Sequence, residues 1–325
     1  MREREHSLWT SRSSSRSLTV AALIGKIEKE ATLTVRSIGI ISKPRKEALC
    51  QVIPPLLEWL AQRKIQALLD QETAACLDAG MLASRQVSTL SRSEIPAKSD
   101  LILVLGGDGT LLAAAREVLG RNIPILAVNL GGLGFLTAIT IDELYESLDL
   151  ILEGKHHVAI RKMLQIDVMR SGLVASSHHA LNDAVLNKGH MARILDFKAS
   201  VDGQLLSFLK ADGLIVSTPT GSTAYSLAAG GPIVYPSVDC FVITPICPHT
   251  LTNRPVVVPD WSRIEIVFEG EDEHIFLTVD GQVGIEFYTE DRIVCSLSPH
   301  QIQLVHPPHK GFFEVLRSKL KWGER

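Results

Sequence analysis

From Val35 onward the chain alternates between short aliphatic runs and longer segments whose apolar positions recur every three to four residues. The runs "VRSIGIIS" (35–42), "IQALLD" (65–70), "LILVL" (101–105) and "PILAVN" (124–129) have the nearly unbroken apolar character of strands buried on both faces. Helical spacing marks "RKEALCQVIPPLLEWLAQRK" (45–64) and the stripe Leu111, Leu112, Ala115, Val118 and Leu119, with Gly120 placed to end the second helix. Strands alternating with helices predict a parallel, doubly wound sheet. Pro54 and Pro55 fall inside the first helix and are expected to kink or split it. A short helix in "IDELYESLDLILEG" (141–154) leads out of this layer.

Beyond about residue 155 the period shortens. "MLQIDVM", "ILDFKASV", "DGLIVST", "CFVITPI", "RIEIVFE", "HIFLTV" and "DRIVCSL" are β-branched runs separated by turn residues, which predicts an antiparallel sandwich or layered β domain. Val-Asp-Gly-Gln occurs twice, at 201–204 and 279–282, and Asp-Gly is a strong hairpin signal in both copies. The last segment, "HKGFFEVLRSKLKWGER", predicts an amphipathic helix docking through Phe312, Phe313, Leu316 and Leu320. The expected organisation is an α/β domain over 35–150, a β-rich, sandwich-like domain over 151–300 and a C-terminal segment over 301–325. Residues 1–34 are rich in Arg and Ser and precede any strand signal. Glu3, Glu5, Glu28 and Glu30 argue against a transit peptide, and Leu18 to Ile24 is too short to cross a bilayer. These residues are expected to form a disordered extension, or to lie upstream of the true start.

A length of 325 residues suggests two domains or one large one, and 46% hydrophobic with 5% aromatic residues suits an aliphatic α/β core. The formal net charge of -3 argues against a nucleic-acid partner. Five scattered cysteines without a CxxC pair fit a reducing cytoplasm and give no reason to expect a disulfide or a zinc site.

The chemistry concentrates in two loops. "LILVLGGDGTLLAAAREVL" joins a strand to a helix through Gly106-Gly107-Asp108-Gly109-Thr110, a geometry that offers backbone N–H groups and a helix dipole to phosphate. It lacks the lysine of a Walker loop, and Leu112 stands where the dinucleotide fingerprint needs a third glycine. A carboxylate beside phosphate is unfavourable unless it holds a metal or accepts a proton, so Asp108 is a candidate for chemistry. Capping of the helix by Asp108 or Thr110 is the competing explanation. In "ADGLIVSTPTGSTAYSLAAGGPIVYPS" (211–237) a strand turns through Pro219 and Gly221 into a helix expected near Thr223. Thr220, Ser222 and Thr223 could each cap it, but a turn needs one cap rather than three, which favours a base-and-ribose site with Tyr225 as a flat face. Asn182-Asp183 suits a ribose diol, and equally an ordinary turn. His249, in a loop pinned by prolines, is expected to be structural.

Taken together, "GGDGT" (106–110), "NLGGLGFL" (129–136), "LND" (181–183), "ADGLIVSTPTGSTAYSL" (211–227), "TPICPHTLTNRP" (244–255) and "VDGQ" (279–282) resemble the NAD kinase family in content and order. The resemblance implies a cleft between an α/β and a β-rich, NAD-binding domain, a last helix packed back on the first domain, and assembly as a dimer or tetramer. It implies transfer of the terminal phosphoryl group of ATP or polyphosphate to the 2′-hydroxyl of the adenosine ribose of NAD, giving NADP, with Asp108 as proton acceptor. Gly106, Gly107, Gly109 and Thr110 would serve the donor, and Mg²⁺ would bind mainly through the donor's phosphates. Asn182 and Asp183 would hold NAD, and Arg193, Lys210 and Asp212 would line the nucleotide site. Thr223, Ala224, Tyr225, Ser226, Leu227 and Ala228 match the adenine-side loop and Gln282 a late contact, whereas Gln204 matches nothing functional. Ala228 replaces a frequent Ser, Tyr235 a frequent His and Asp183 a frequent Glu, and the first 34 residues have no counterpart. Two rivals stand beside this reading: a lipid or other small-molecule kinase with the same loop, and a non-catalytic NAD sensor. A protein with no membrane partner, working in the cytoplasm, is expected in any case.

Overall fold

The computed structural model describes residues 33–43, 47–77, 80, 87–137, 139–188, 195–269, 275–288, 290–308 and 310–323. The aliphatic runs become parallel strands: β1 (Ser37–Ser42), β2 (Gln66–Asp70), β3 (Val87–Leu90), β4 (Leu101–Leu105) and β5 (Pro124–Asn129), in the order β5-β4-β1-β2-β3. A two-residue β6 (Ile139–Thr140) adds to β5. β3, "VSTL", has too few apolar positions to stand out in the sequence. Helices Glu47–Gln62 and Leu144–Leu152 cover one face through Leu49, Ile53, Leu57, Leu144 and Leu148, and helix Asp108–Glu117 covers the other through Leu111, Ala114 and Ala115. The layer is doubly wound, as predicted.

Pro54 and Pro55 do not split their helix, which runs unbroken for 16 residues. Five side chains on its inner face (Leu49, Ile53, Leu56, Leu57 and Leu60) are almost wholly buried. At about 1.5–3 kcal/mol each, they outweigh the roughly 3 kcal/mol that each interior proline costs.

The second half supplies β7 (His157–Arg170), β8 (Leu173–Ala180), β9 (Asp183–Lys188), β10 (Leu195–Val201), β11 (Gln204–Ala211), β12 (Gly213–Ser217), β13 (Cys240–Ile246), β14 (Val256–Pro259), β15 (Ile264–Phe268), β16 (Ile275–Val279), β17 (Val283–Glu286) and β18 (Arg292–His306). A six-stranded sheet, β14-β13-β12-β9-β16-β17, packs against strands β7, β10, β15 and β18. Leu186, Val216, Phe241 and Leu277 of one layer meet Ile166, Phe197, Ile266 and Ile293 of the other, so this half is a sandwich.

The two halves are joined more closely than the change of period suggests. β18 is antiparallel to β7 along its whole length and to β15 along its first part, while on its other edge Gln303 and Leu304 pair in parallel with Pro124 and Ile125 of β5. One sheet of 12 strands therefore crosses both halves. The run "DRIVCSL" predicts only the first half of β18. A register irregularity between Leu297 and Gln301 interrupts the pairing, and the polar residues there hide the continuation.

Helix Phe312–Leu320 closes the junction between the two halves. Val315 and Leu316 are its buried residues, while Phe313 is 60% exposed with its ring against Tyr235, so the docking face includes Val315 and largely omits Phe313. Lys310 binds Glu143 at 2.7 Å and Lys319 lies over the Phe135 ring, which ties this C-terminal segment to the first half. Among the described residues no helix is long and apolar enough to cross a membrane.

Candidate active site

Asp108 is the first residue of its helix, with Gly107 in the capping position, and neither Asp108 nor Thr110 caps that helix. The carboxylate instead accepts from a neighbouring loop: Phe135 N–H to Oδ2 at 2.9 Å, and Leu136 N–H, Thr137 N–H and the Thr137 hydroxyl to Oδ1 at 3.2, 3.0 and 2.8 Å. Thr137 is in turn held by the buried Asn129 amide at 2.7 Å. Gly134 makes this approach possible, because a Cβ there would lie 2.1 Å from Asp108 Oδ1. The loop fixes Asp108 at the mouth of the turn while the first N–H groups of the helix lack intrahelical acceptors. Capping thus fails as an explanation for Asp108.

The second VDGQ turn connects this loop to the sandwich. Gln282 Nε2 donates to Gly109 O at 2.7 Å, and its Oε1 accepts from Arg116 Nη2 at 2.6 Å. Two residues earlier, Asp280 accepts the N–H groups of Leu181, Asn182 and Asp183 at 3.1, 2.7 and 3.3 Å. The chain Gly109–Gln282–Asp280–Asn182–Asp183 is therefore continuous in space. The sequence assigned no role to Asp280 or Arg116; its one signal was the second VDGQ, which the family resemblance singled out through Gln282 alone.

Asp183 and Asp280 are both almost fully buried. Burial, and then the nearby Asp280 charge, push the Asp183 carboxyl up to about 7. Asp280 is also raised by burial, against the pull of its three N–H donors and of Arg116. Asn182 Oδ1 is shielded from solvent and accepts no hydrogen bond among the described residues. A ligand donor would satisfy that acceptor.

The stretch 218–228 follows neither sequence expectation closely. A 3₁₀ turn, Gly221–Thr223, precedes a four-residue helix, Tyr225–Ala228, and no side chain caps either. The hydroxyls are spent within the fold: Thr218 on Leu181 O, Ser222 on Pro219 O, Thr223 on Thr220 O, and Ser226 with Thr244. These hydroxyls thus have a structural account, and the features left for a ligand are the main chain, the Thr220 hydroxyl and the 42% exposed Tyr225 ring. Thr218 N–H also donates to Asn182 O at 2.9 Å, so this turn and the Asn182-Asp183 pair lie side by side.

Other predicted residues are less central. Lys210 forms an exposed ion pair with Asp196 across β10 and β11, and its carbonyl accepts from His249 N–H. Asp212 N–H donates to Ile246 O, and its side chain is only partly exposed. Arg193 lies outside the described residues.

What survives at the junction is a fixed carboxylate at the N-terminus of a helix, beside a glycine turn and near a polar edge with an unsatisfied acceptor. That is equipment for moving a phosphoryl group between two bound ligands, and the class is a two-domain phosphotransferase. Comparison with known proteins narrows it: residues 38–156 match the model of the ATP-NAD kinase N-terminal domain, and residues 181–307 that of the C-terminal domain. The chain belongs to the NAD kinase family. It is 52% identical over 291 residues to the NAD kinase of Solibacter usitatus (strain Ellin6076), covering 90% of this chain and 99% of that protein. It is 51% identical over 292 residues to the NAD kinase of Geobacter sp. (strain M21), covering 90% and 100%. Among solved structures, yeast NADH kinase complexed with NADH aligns with a TM-score of 0.82 at 26% identity over 90% of this chain and 89% of that one. An NAD kinase from Archaeoglobus fulgidus in complex with ATP shares the fold, with a TM-score of 0.66 at 24% identity, covering 88% and 98%.

Proposed function

We propose that the chain transfers the terminal phosphoryl group of ATP, or of polyphosphate, to the 2′-hydroxyl of the adenosine ribose of NAD, with Asp108 receiving the proton. The observation that carries this reading is the Asp108 carboxylate, fixed by the loop at 135–137 rather than used as a helix cap. Its Oδ2 accepts one N–H among the described residues and retains a lone pair for the acceptor hydroxyl. As the hydroxyl oxygen attacks the terminal phosphorus, the bond to the bridging oxygen breaks, ADP or a shortened polyphosphate leaves, and the proton passes to Oδ2. The family's name supports ATP as donor, and the NADH held by the yeast relative supports a pyridine nucleotide as acceptor. Asn182 Oδ1, Asp183 and the main chain at 223–228, with the Tyr225 ring, are the groups assigned to NAD.

No group of three His, Cys, Asp or Glu able to hold a metal occurs among the described residues. Mg²⁺ would ride on the donor's phosphates and neutralise their charge.

Replacing Asp108 by Asn tests the assignment. NADP formation should fall about a hundredfold or more, the lower end of general-base contributions, while NAD still binds. The amide offers one acceptor oxygen to four donors, so stability should also fall by about 1–3 kcal/mol, and the assay belongs well below the melting temperature. Near-normal turnover would remove the chemistry from this loop.

A further inference from the structure

A cavity of about 800 Å³ opens between β7, the end of β18 and the C-terminal helix, with Phe135, Arg161, Tyr235, His306 and Phe312 in its wall. Except for Phe135, whose N–H holds Asp108, these residues belong to neither the catalytic turn nor the groups assigned to NAD. The volume is that of a nucleotide-sized ligand.

The electrostatics of this cavity are unbalanced. His157 and His306 are register partners across β7 and β18, and Arg161 follows on β7. Lys162 and Lys310 also line the cavity but are neutralised, Lys162 by Asp239 and Asp260, and Lys310 by Glu143. Arg161 has no ion pair among the described residues, and its Nε is sealed from solvent with no hydrogen-bond acceptor. Burial lowers the Arg161 guanidinium to about 10, and burial together with the Arg161 and His157 charges holds His306 down at about 3. A shielded cation without a counter-ion is costly, and an anion placed against it removes that cost. The opposite wall is aromatic, with Tyr235 and Phe312 edge to face at 5.1 Å.

We propose that this cavity binds a nucleotide, its phosphate on Arg161 and His306 and its ring against Tyr235 and Phe312. The site stands on its own residues, whether or not NAD is phosphorylated. Two sources share this chemistry, the phosphoryl donor of the proposed reaction and a separate regulatory nucleotide.

The test uses the full chain with ADP as probe and the ring signals of His306 by NMR. In wild type and in Asp108→Asn alike, saturating ADP should raise the His306 titration midpoint by about one pH unit or more, as an adjacent anion does. In Arg161→Met the shift should vanish and the cavity's ADP affinity should fall at least about tenfold, the loss of one charge-assisted hydrogen bond, with Arg161→Lys intermediate. Adenosine, which lacks the phosphate, should leave the midpoint where it was. A wild-type His306 midpoint unmoved by ADP overturns the proposal without recourse to any variant, and so does an Arg161→Met protein that folds and shifts like wild type. Given the site, a raised KM for ATP with an unchanged KM for NAD in Arg161→Met identifies the occupant as the donor. An unchanged KM for ATP, with loss of any ADP effect on rate, identifies a regulatory nucleotide.

Discussion

The same four residues, Val-Asp-Gly-Gln, turn the chain at two places, between β10 and β11 and between β16 and β17. Asp202 and Gly203 have φ of 51° and 77°, and Asp280 and Gly281 have φ of 52° and 62°. Both are two-residue hairpin turns of the kind that follows strand twist. The Asp202 carboxylate accepts one N–H, from Arg263, at the surface, and Gln204 begins an exposed strand end. Asp280 is buried with three N–H groups on its carboxylate, and Gln282 bridges the sandwich to the turn at 106–110. Identical local chemistry thus yields identical backbone and opposite roles. The turn is decided within four residues, and its use is decided by whatever lies opposite.

The comparison can be broken most forcefully at the aspartates. Asp280→Ala strands three N–H groups in a buried site and should cost about 3 kcal/mol or more in chemical denaturation, with NADP formation impaired, because unmade buried hydrogen bonds cost about 1–3 kcal/mol each. Asp202→Ala strands one at the surface and should cost about 1 kcal/mol or less. Equal losses would mean that the cleft adds nothing to the turn.

A second difference concerns pH. Because the folded Asp183 carboxyl sits near 7, above its unfolded value, the folded state holds this proton more tightly than the unfolded chain does. Its contribution is therefore greatest below about pH 4 and is lost as pH rises through 7, a fall of about 2 kcal/mol between pH 5 and 7. Melting curves of wild type and Asp183→Asn across that range should diverge with wild type losing stability faster, and parallel curves would refute the buried pair.

At the glutamines the expected effect is smaller. Gln282→Ala removes the bonds to Gly109 and Arg116 and should lower kcat/KM roughly tenfold, from two bonds of about 0.5–1.5 kcal/mol each, whereas Gln204→Ala should be indistinguishable from wild type. At the glycines the effect is small and equal in both copies. Gly203→Ala and Gly281→Ala meet no nearby atom, so each should cost only the left-handed backbone penalty of about 1 kcal/mol. A much larger loss at Gly281 would show that the turn itself is strained by the cleft.

Much of this molecule could be read in advance. The continuous runs at 101–105 and 124–129 and the change of period after 155 were enough for a parallel layer and a sandwich, since burial on two faces or one dictates the pattern directly. GGDGT announced a strand-to-helix turn, and the ordered set of motifs announced the family. The continuous sheet was not legible, because β18 passes through polar residues at its irregularity, and neither was the unbroken helix through Pro54 and Pro55, because the packing that overrides the prolines comes from elsewhere.

By itself, the sequence determined strands, helices and turns, because periodicity and turn chemistry act over a few residues. The tertiary structure alone decided what Asp108, Ser222 and Asp280 do with their oxygens. Asp108 meets donors 27 to 29 residues away, Asp280 meets donors 97 to 99 residues away, and Ser222 turns its hydroxyl to a carbonyl of its own loop. A hydrogen bond is won by whichever partner folding brings within about 3 Å, and residue type fixes only what a side chain is able to accept or donate.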